Sequence, residues 1–419
     1  MTNLLVKNWL NRQHKKQKLN IKKIKLSFIK GWIISKEHIV HKSGKFFKII
    51  GLSVKTNFYK KNWDQPIIYQ NEIGILGILK NIKTKKYLLQ AKVEPGNINK
   101  VQISPTVQAT KSNYMRVHGG KSTPYLNFFM KKKNIFSHQS EQAFRYLNKF
   151  NANIIVKVSK KIKLFETFRW FSKKEIVYLL NKKNIINMDT LSVFSCFLKK
   201  NKKDKPLNNL NKINIWLKKL NNKFYLRVKK INISKLKYWN TSPMKIKHKT
   251  NNFFSIIGIN VKTNKREINE WSQPIIQGMN LAFAGFLTKK FNNTEHYLCR
   301  YILKPGARSN TFSCTINTSK IKNFTKNKQL SNFQKEIFTK YFLTRKKKLY
   351  DNILSDEGGR FYQSQIRYVA YNLKKNDNVE LPFNYVWLSY NQMIDLINKR
   401  KIDIEARLLF GIINIKRII

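Results

Sequence analysis

Between positions 91 and 118 the chain reads AKVEPGNINKVQISPTVQATKSNYMRVH, which sets four titratable side chains, Glu94, Tyr114, Arg116 and His118, among closely spaced hydroxyls and amides. A carboxylate or an imidazole can take a proton from carbon, a phenol can return one, and a row of Ser, Thr, Asn and Gln can hold a small hydroxylated molecule. Each of these residues also has a plainer use. Glu94 can accept backbone amides across the EPGN turn, His118 can hydrogen-bond in a loop, and Tyr114, like Tyr362 further on, can satisfy a buried carbonyl. Val101, Ile103, Thr106 and Gln108 stand among Pro, Gly, Asn and Ser, a pattern that predicts short strands and tight turns, with Gly96 turning at a positive φ.

Groups suited to binding lie outside that stretch. Trp63 and Trp271 each open a W-x-Q-P string whose Trp can stack on a base or sugar or pack in a core, with Gln65 and Gln273 beside the stiffening proline. Arg360 and Arg367 flank Tyr362 on a Gly-led segment, an arrangement suited to clamping a diphosphate.

Taken together, EPGN, SPTVQAT and SNYMRVHGG resemble the NDP-hexose 2,3-dehydratases. WDQPII at 63–68, WSQPII at 271–276, GGRFYQ at 358–363 and IEAR at 404–407 extend that resemblance, in the same order, over nearly the whole chain. The resemblance implies removal of the C2 hydroxyl from an NDP-4-keto-6-deoxyhexose such as dTDP-4-keto-6-deoxyglucose, giving a 3,4-diketo-2,6-dideoxy sugar. It also implies a homodimer working with an NAD(P)H-dependent 3-ketoreductase. The ketone at C4 already acidifies the hydrogen at C3, so the reaction calls for a base near C3, an acid near O2 and donors toward O4, and for no redox cofactor. Glu94, Tyr114, His118 and Tyr362 are the candidates for that proton chemistry. Trp63, Gln65, Gln108, Lys149, Asn151, Asn153, Trp271, Gln273, Arg360, Arg367 and Arg407 are the candidates for holding substrate. Where the family carries KRNRN, this chain keeps Lys149, Asn151 and Asn153 but has Phe150 and Ala152 in place of the arginines; in the second copy Ile366 and the string SCTIN at 313–317 also depart from the pattern.

The elements that must position these residues come in duplicate. Trp9, Trp32, Trp63 and Trp170 answer Trp216, Trp239, Trp271 and Trp387 at nearly constant spacing, and FFKIIGLSVKTN at 46–57 answers FFSIIGINVKTN at 253–264. Two homologous α+β modules are expected, 1–200 and 208–419, joined through the charged, Asn-rich stretch 199–212. The resemblance implies that each is a Nudix-like mixed sheet with flanking helices, although the clustered glutamates that Nudix chemistry uses to hold metal are missing. Strands are predicted at IGILGILK, KYLLQAKV, NINKVQIS, LAFAGFLT and HYLCRYIL, and each copy is expected to end in a helix behind a capping box, Ser172 with Glu175 and Ser389 with Gln392.

A formal charge of +63 would ordinarily suggest a nucleic-acid partner. Of the 84 basic residues, however, 70 are Lys, spread through both halves, so a dedicated nucleic-acid or membrane surface is not expected and an RNA-binding protein remains only an alternative. Three unpaired cysteines and no apolar leader predict a cytoplasmic protein. The other alternative is a nucleotide-sugar-binding protein without turnover.

Overall fold

The computed structural model describes residues 2–418 apart from 118, 132, 133, 252, 279, 280, 322, 323, 325–329, 345 and 346. His118 therefore lies outside the described residues.

Each copy builds two sheets, and the copies repeat each other strand for strand. In the first, the apolar run Lys48–Thr56 pairs antiparallel with Trp63–Tyr69, placing Trp63 opposite Val54; in the second, Ser255–Thr263 pairs with Glu270–Gln277, placing Trp271 opposite Val261. Trp170 faces Leu88 and Trp387 faces Leu298 in the matching strands of the larger sheets. Those larger sheets are seven-stranded and mixed. Each is centred on one parallel pair, Gly74–Asn81 with Phe150–Val158 and Ala282–Phe291 with Gln365–Asn372. Thr106 ties neighbouring strands by accepting from the Leu79 amide at 3.0 Å and donating to the Leu88 carbonyl, and Thr315 repeats the bond between Leu287 and Leu298.

The smaller, six-stranded sheets are not made by one copy alone. Leu19–Ile24, from the start of the first copy, pairs with Ser255–Thr263 of the second; Leu226–Ile231, from the start of the second, pairs with Lys48–Thr56 of the first. The two copies thus exchange their first strands, and each covers an edge that the other would leave unpaired.

The Pro-Gly turns interlock the copies again. Gly96 does not have a positive φ, contrary to the expectation from sequence. Glycine is required there by proximity: a Cβ on Gly96 would lie 1.7 Å from the Phe361 carbonyl oxygen, and the Gly96 amide donates to Gly358 at 2.7 Å. Gly306 does the same against Tyr146, with its amide donating to Ala143 at 2.7 Å.

Both capping boxes form, on helices Lys173–Leu180 and Tyr390–Asn398. A second helix follows in each copy, Met188–Ser195 and Ile404–Ile413, which the sequence reading did not separate from the first. These two helices cross at Gly411, where a Cβ would stand 2.7 Å from that of Ser195. They close a core shared by both copies, in which Leu76, Phe194, Phe286 and Leu409 are fully or almost fully buried; each contributes about 1.5–3 kcal/mol. Among the described residues no helix is long and apolar enough to cross a membrane.

Candidate functional site

A cavity of about 430 Å³ opens where the two copies meet. One wall is the polar stretch of the first copy, with Lys92, Glu94 and Gln108 on or beside strands Tyr87–Val93 and Val107–Ala109. A second is aromatic, formed by Trp32, His41, Phe46 and Phe47. The second copy supplies the rest, including Arg266, Trp271, Gln273, Glu357 and Arg360.

Glu94 is the best-held group in the cavity. Its Oε1 accepts from the Gln108 amide at 3.1 Å and lies 3.6 Å from Lys92 Nζ and 3.5 Å from Arg266 Nη1. The orientation of Gln108 is fixed in turn, because its Oε1 accepts from Asn187 Nδ2 at 3.1 Å, leaving its nitrogen to face the carboxylate. Arg266 is anchored by donating to the Val93 carbonyl at 3.0 Å and to Glu267 at 3.1 Å. Glu94 Oε2 is buried with no hydrogen-bond partner among the described residues. The carboxylate thus has one oxygen engaged by Gln108, Lys92 and Arg266 and the other buried and unpaired among the described residues.

Four more carboxyl groups line the cavity, those of Glu141, Asp189, Glu267 and Glu357. Glu141 accepts from Asn151 Nδ2 at 2.7 Å, and burial followed by the neighbouring Glu357 pushes its carboxyl up to about 7. Glu357 accepts from the Tyr146 hydroxyl at 2.6 Å; burial raises it as well, against the pull of Arg360. Asp189, in the first turn of helix Met188–Ser195, is raised well above the ordinary range by burial and then by Glu357, Glu141 and Glu94. Burial presses the Lys149 ammonium down to about 8, and Lys149 donates to the Glu72 carbonyl. Arg360 lies with its guanidinium 4.3 Å from the Phe47 ring centre, and its Nε is buried with no hydrogen-bond partner among the described residues.

The equivalent place in the second copy is built differently. Lys304 stands where the first copy has Glu94, and it makes ion pairs with Asp403 at 2.8 Å and Glu405 at 2.9 Å. Tyr59 stands where the other side has Arg266, and its hydroxyl donates to the Leu303 carbonyl at 2.7 Å.

The model of the NDP-hexose 2,3-dehydratase family matches this chain twice, over residues 4–197 and again over 210–413. The chain belongs to the NDP-hexose 2,3-dehydratase family. The double match shows the duplication directly. Proteins named dTDP-4-dehydro-6-deoxy-alpha-D-glucopyranose 2,3-dehydratase are similar to it along most of their length. The one from Saccharopolyspora spinosa is 30% identical over 410 residues, 90% of this chain and 83% of that one. The one from Streptomyces violaceoruber is 30% identical over 429 residues, 96% and 95%. The one from Amycolatopsis orientalis is 28% identical over 430 residues, 98% and 89%. A solved ADP compounds hydrolase aligns with 38% of this chain and 84% of its own at 13% identity and a TM-score of 0.23, too loose a likeness to fix the fold of either copy.

Of the residues singled out from the sequence, Glu94, Gln108, Lys149, Asn151, Trp271, Gln273 and Arg360 line this cavity. The Trp271 indole donates to Gln273 at 2.8 Å, and Gln273 donates to the Gly359 carbonyl at 2.8 Å, which holds the Arg360 segment. Trp63 and Gln65 make the same relay to Phe144, on the other side of the pseudosymmetry. Asn153 is buried behind the cavity, donating to Ser137 and Asn151 and accepting from Ser192. Arg367 is engaged by Asp351 through two bonds of 2.8 and 2.7 Å. Arg407 is fully buried between the crossing helices, donating to Ser192 and Ser195. Tyr114 packs in the first copy beside Glu72, and Tyr362 lies under Lys23 at 4.8 Å; neither lines the cavity.

Sequence reasoning passed over Asp189, Glu141, Glu357 and Arg266. The signal was present for two of them, since SEQAFR at 140–145 aligns with SDEGGR at 355–360 and the acids sit just ahead of the paired arginines. Asp189 could have been found only by aligning it with Glu405 of IEAR.

Proposed function

We propose that the composite cavity binds a dTDP-4-keto-6-deoxyhexose and eliminates its C2 hydroxyl, the reaction for which the similar proteins are named. The observation that carries this reading is a glutamate, Glu94, with one carboxylate oxygen unpaired among the described residues, lining a cavity that also receives Arg266 and Arg360 from the other copy. Glu94 takes the hydrogen from C3, which the C4 ketone has made acidic. Arg360, with no carboxylate hydrogen-bonded to it among the described residues, faces the diphosphate, while Lys149 and Asn151 offer donors toward O4 as charge develops there. The volume is that of an ordinary ligand pocket.

The same reading takes each copy as a Nudix-like module stripped of its metal-binding helix, places the protein in the cytoplasm, where three free thiols persist, and makes it a homodimer. Its diketone product calls for reduction at C3 by an NAD(P)H-dependent ketoreductase. The test is incubation with dTDP-4-keto-6-deoxyglucose, a 3-ketoreductase and NADPH, followed by mass analysis. Loss of one water is expected from the parent, and Glu94→Gln should bind substrate normally while turning over roughly 10²–10⁴-fold more slowly. Normal turnover by Glu94→Gln would reduce the glutamate to a turn residue.

A further inference from the structure

We infer that Asp189 is the acid that protonates the departing C2 hydroxyl, an assignment that rests on the dehydration reading above. Three observations converge on it. Asp189 lines the same cavity as Glu94, and its residue is 4% exposed. Among the described residues its carboxyl receives no hydrogen bond and no ion pair closer than 4 Å, although it is buried. The neighbouring bonds show where the available donors went. Asn187 Nδ2 is spent on Ser104 and Gln108, and the Thr190 amide and hydroxyl go to Asn187 Oδ1.

The second copy provides the contrast. Its counterpart of Asp189 is Glu405, neutralised by Lys304 at 2.9 Å, with Asp403 sharing the same ammonium. In the first copy the residues at the places of Lys304 and Asp403 are Glu94 and Asn187, so the cation is gone and a second carboxylate takes its position. Purely structural ionic packing would have been met by the second-copy solution. The first copy instead sets Glu94 and Asp189 in one cavity with their surroundings divided between them. Glu94 has Lys92 and Arg266 beside it at 3.6 and 3.5 Å, whereas Asp189 has no cation within 4 Å among the described residues, and Glu357, Glu141 and Glu94 act together with burial to raise its carboxyl against Lys92. Environments that separate two acids in this way assign one as base and the other as acid.

The steps balance as follows. Glu94 takes the proton from C3, and the electrons of that bond form the C3–C4 enolate with its charge on O4. The enolate then collapses to a C2–C3 double bond as the C2–O bond breaks, and Asp189 gives its proton to the leaving oxygen, which departs as water. The resulting 3-enol becomes the ketone when Glu94 returns its proton to C2 and the C3 hydroxyl proton passes to the Asp189 carboxylate, restoring both groups.

Asp189→Asn, Asp189→Glu and Glu94→Gln separate this role from a structural one. Each would be incubated with substrate in heavy water, with deuterium entry at C3, water loss and nucleotide-sugar binding measured side by side. Asp189→Asn should bind like the parent, release water about 10²–10⁴-fold more slowly and still exchange the C3 hydrogen, because the base is intact. Asp189→Glu should recover part of the lost rate, and Glu94→Gln should lose exchange and water release together. Parental water loss by Asp189→Asn, or loss of exchange in step with water loss, overturns the assignment. A parent protein that neither exchanges nor dehydrates overturns the dehydration reading itself, and the assignment with it.

Discussion

Glu94 and Lys304 occupy equivalent places in the two copies, each just ahead of a Pro-Gly turn that docks against the other copy, and they carry opposite charge. Lys304 is paired with two carboxylates, whereas Glu94 keeps one oxygen unpaired among the described residues. One sign change thus gives a single fold, used twice, two different buried ionic settings at the same place.

Lys304→Met should therefore destabilise the protein without touching the residues that line the cavity. Removing the ammonium leaves Asp403 and Glu405 buried and uncompensated, a change that costs about 3–5 kcal/mol. Chemical denaturation of parent and variant measures it. A midpoint unchanged in the variant would show that water already screens the trio.

The two arginines first read as a clamp should behave differently. Arg360 faces the cavity, and Arg360→Ala should weaken binding of a dTDP-sugar by roughly 10–100-fold through lost charge-assisted bonds. Arg367 is already paired with Asp351, so Arg367→Ala should leave affinity nearly unchanged and lower stability slightly. Calorimetric titration distinguishes them, and equal losses would move the diphosphate away from Arg360.

The duplication, the central strands and both capping boxes were legible because they depend on local periodicity and on self-similarity, which one sequence contains. The polar wall was legible for the same reason, as it is a continuous string. The exchanged strands were not. Leu19–Ile24 reads as an amphipathic segment in either copy, and only the edge it covers, far away in sequence in the second copy, decides where it pairs. The roles of Arg367 and Arg407 were misjudged for a related reason. An arginine looks free in sequence, and only the fold reveals Asp351 opposite one and Ser192 and Ser195 around the other. Gly96 was assigned to a turn correctly, but its cause lies in the Phe361 carbonyl of the other copy.

Stability should fall as pH rises through neutrality, and Asp356 should account for part of the fall. Burial, with Glu405 nearby, pushes its carboxyl up from 3.8 to about 7. The folded chain thus holds this proton more tightly than the unfolded chain, so the contribution is fully present below the unfolded value and is lost as pH rises through about 7. Lys149 shifts the other way, so the useful quantity is the difference from Asp356→Asn, which keeps the size of the side chain. That difference should change by on the order of 1–3 kcal/mol between pH 4 and 8, read from denaturation midpoints. Parallel curves for parent and variant would mean that Asp356 ionises freely in the folded protein.

Gly96→Ala tests whether the cavity depends on contact between the copies. The new methyl carbon would meet the Phe361 carbonyl oxygen, which is backbone and cannot rotate aside, so the turn must retreat. Glu94 lies two residues before the glycine, and Glu357 and Arg360 lie on the segment it touches, so retreat widens the distance between the base and the groups that hold substrate. Overpacking of this kind costs about 1–3 kcal/mol of stability, while a displacement near 1 Å at a reacting centre costs about 10²-fold in rate. Turnover should consequently fall much further than the denaturation midpoint, with kcat/KM lowered more than dTDP affinity. Should Gly96→Ala retain parental turnover, the two copies are not held in register by this turn, and the strand exchange alone would have to position the site.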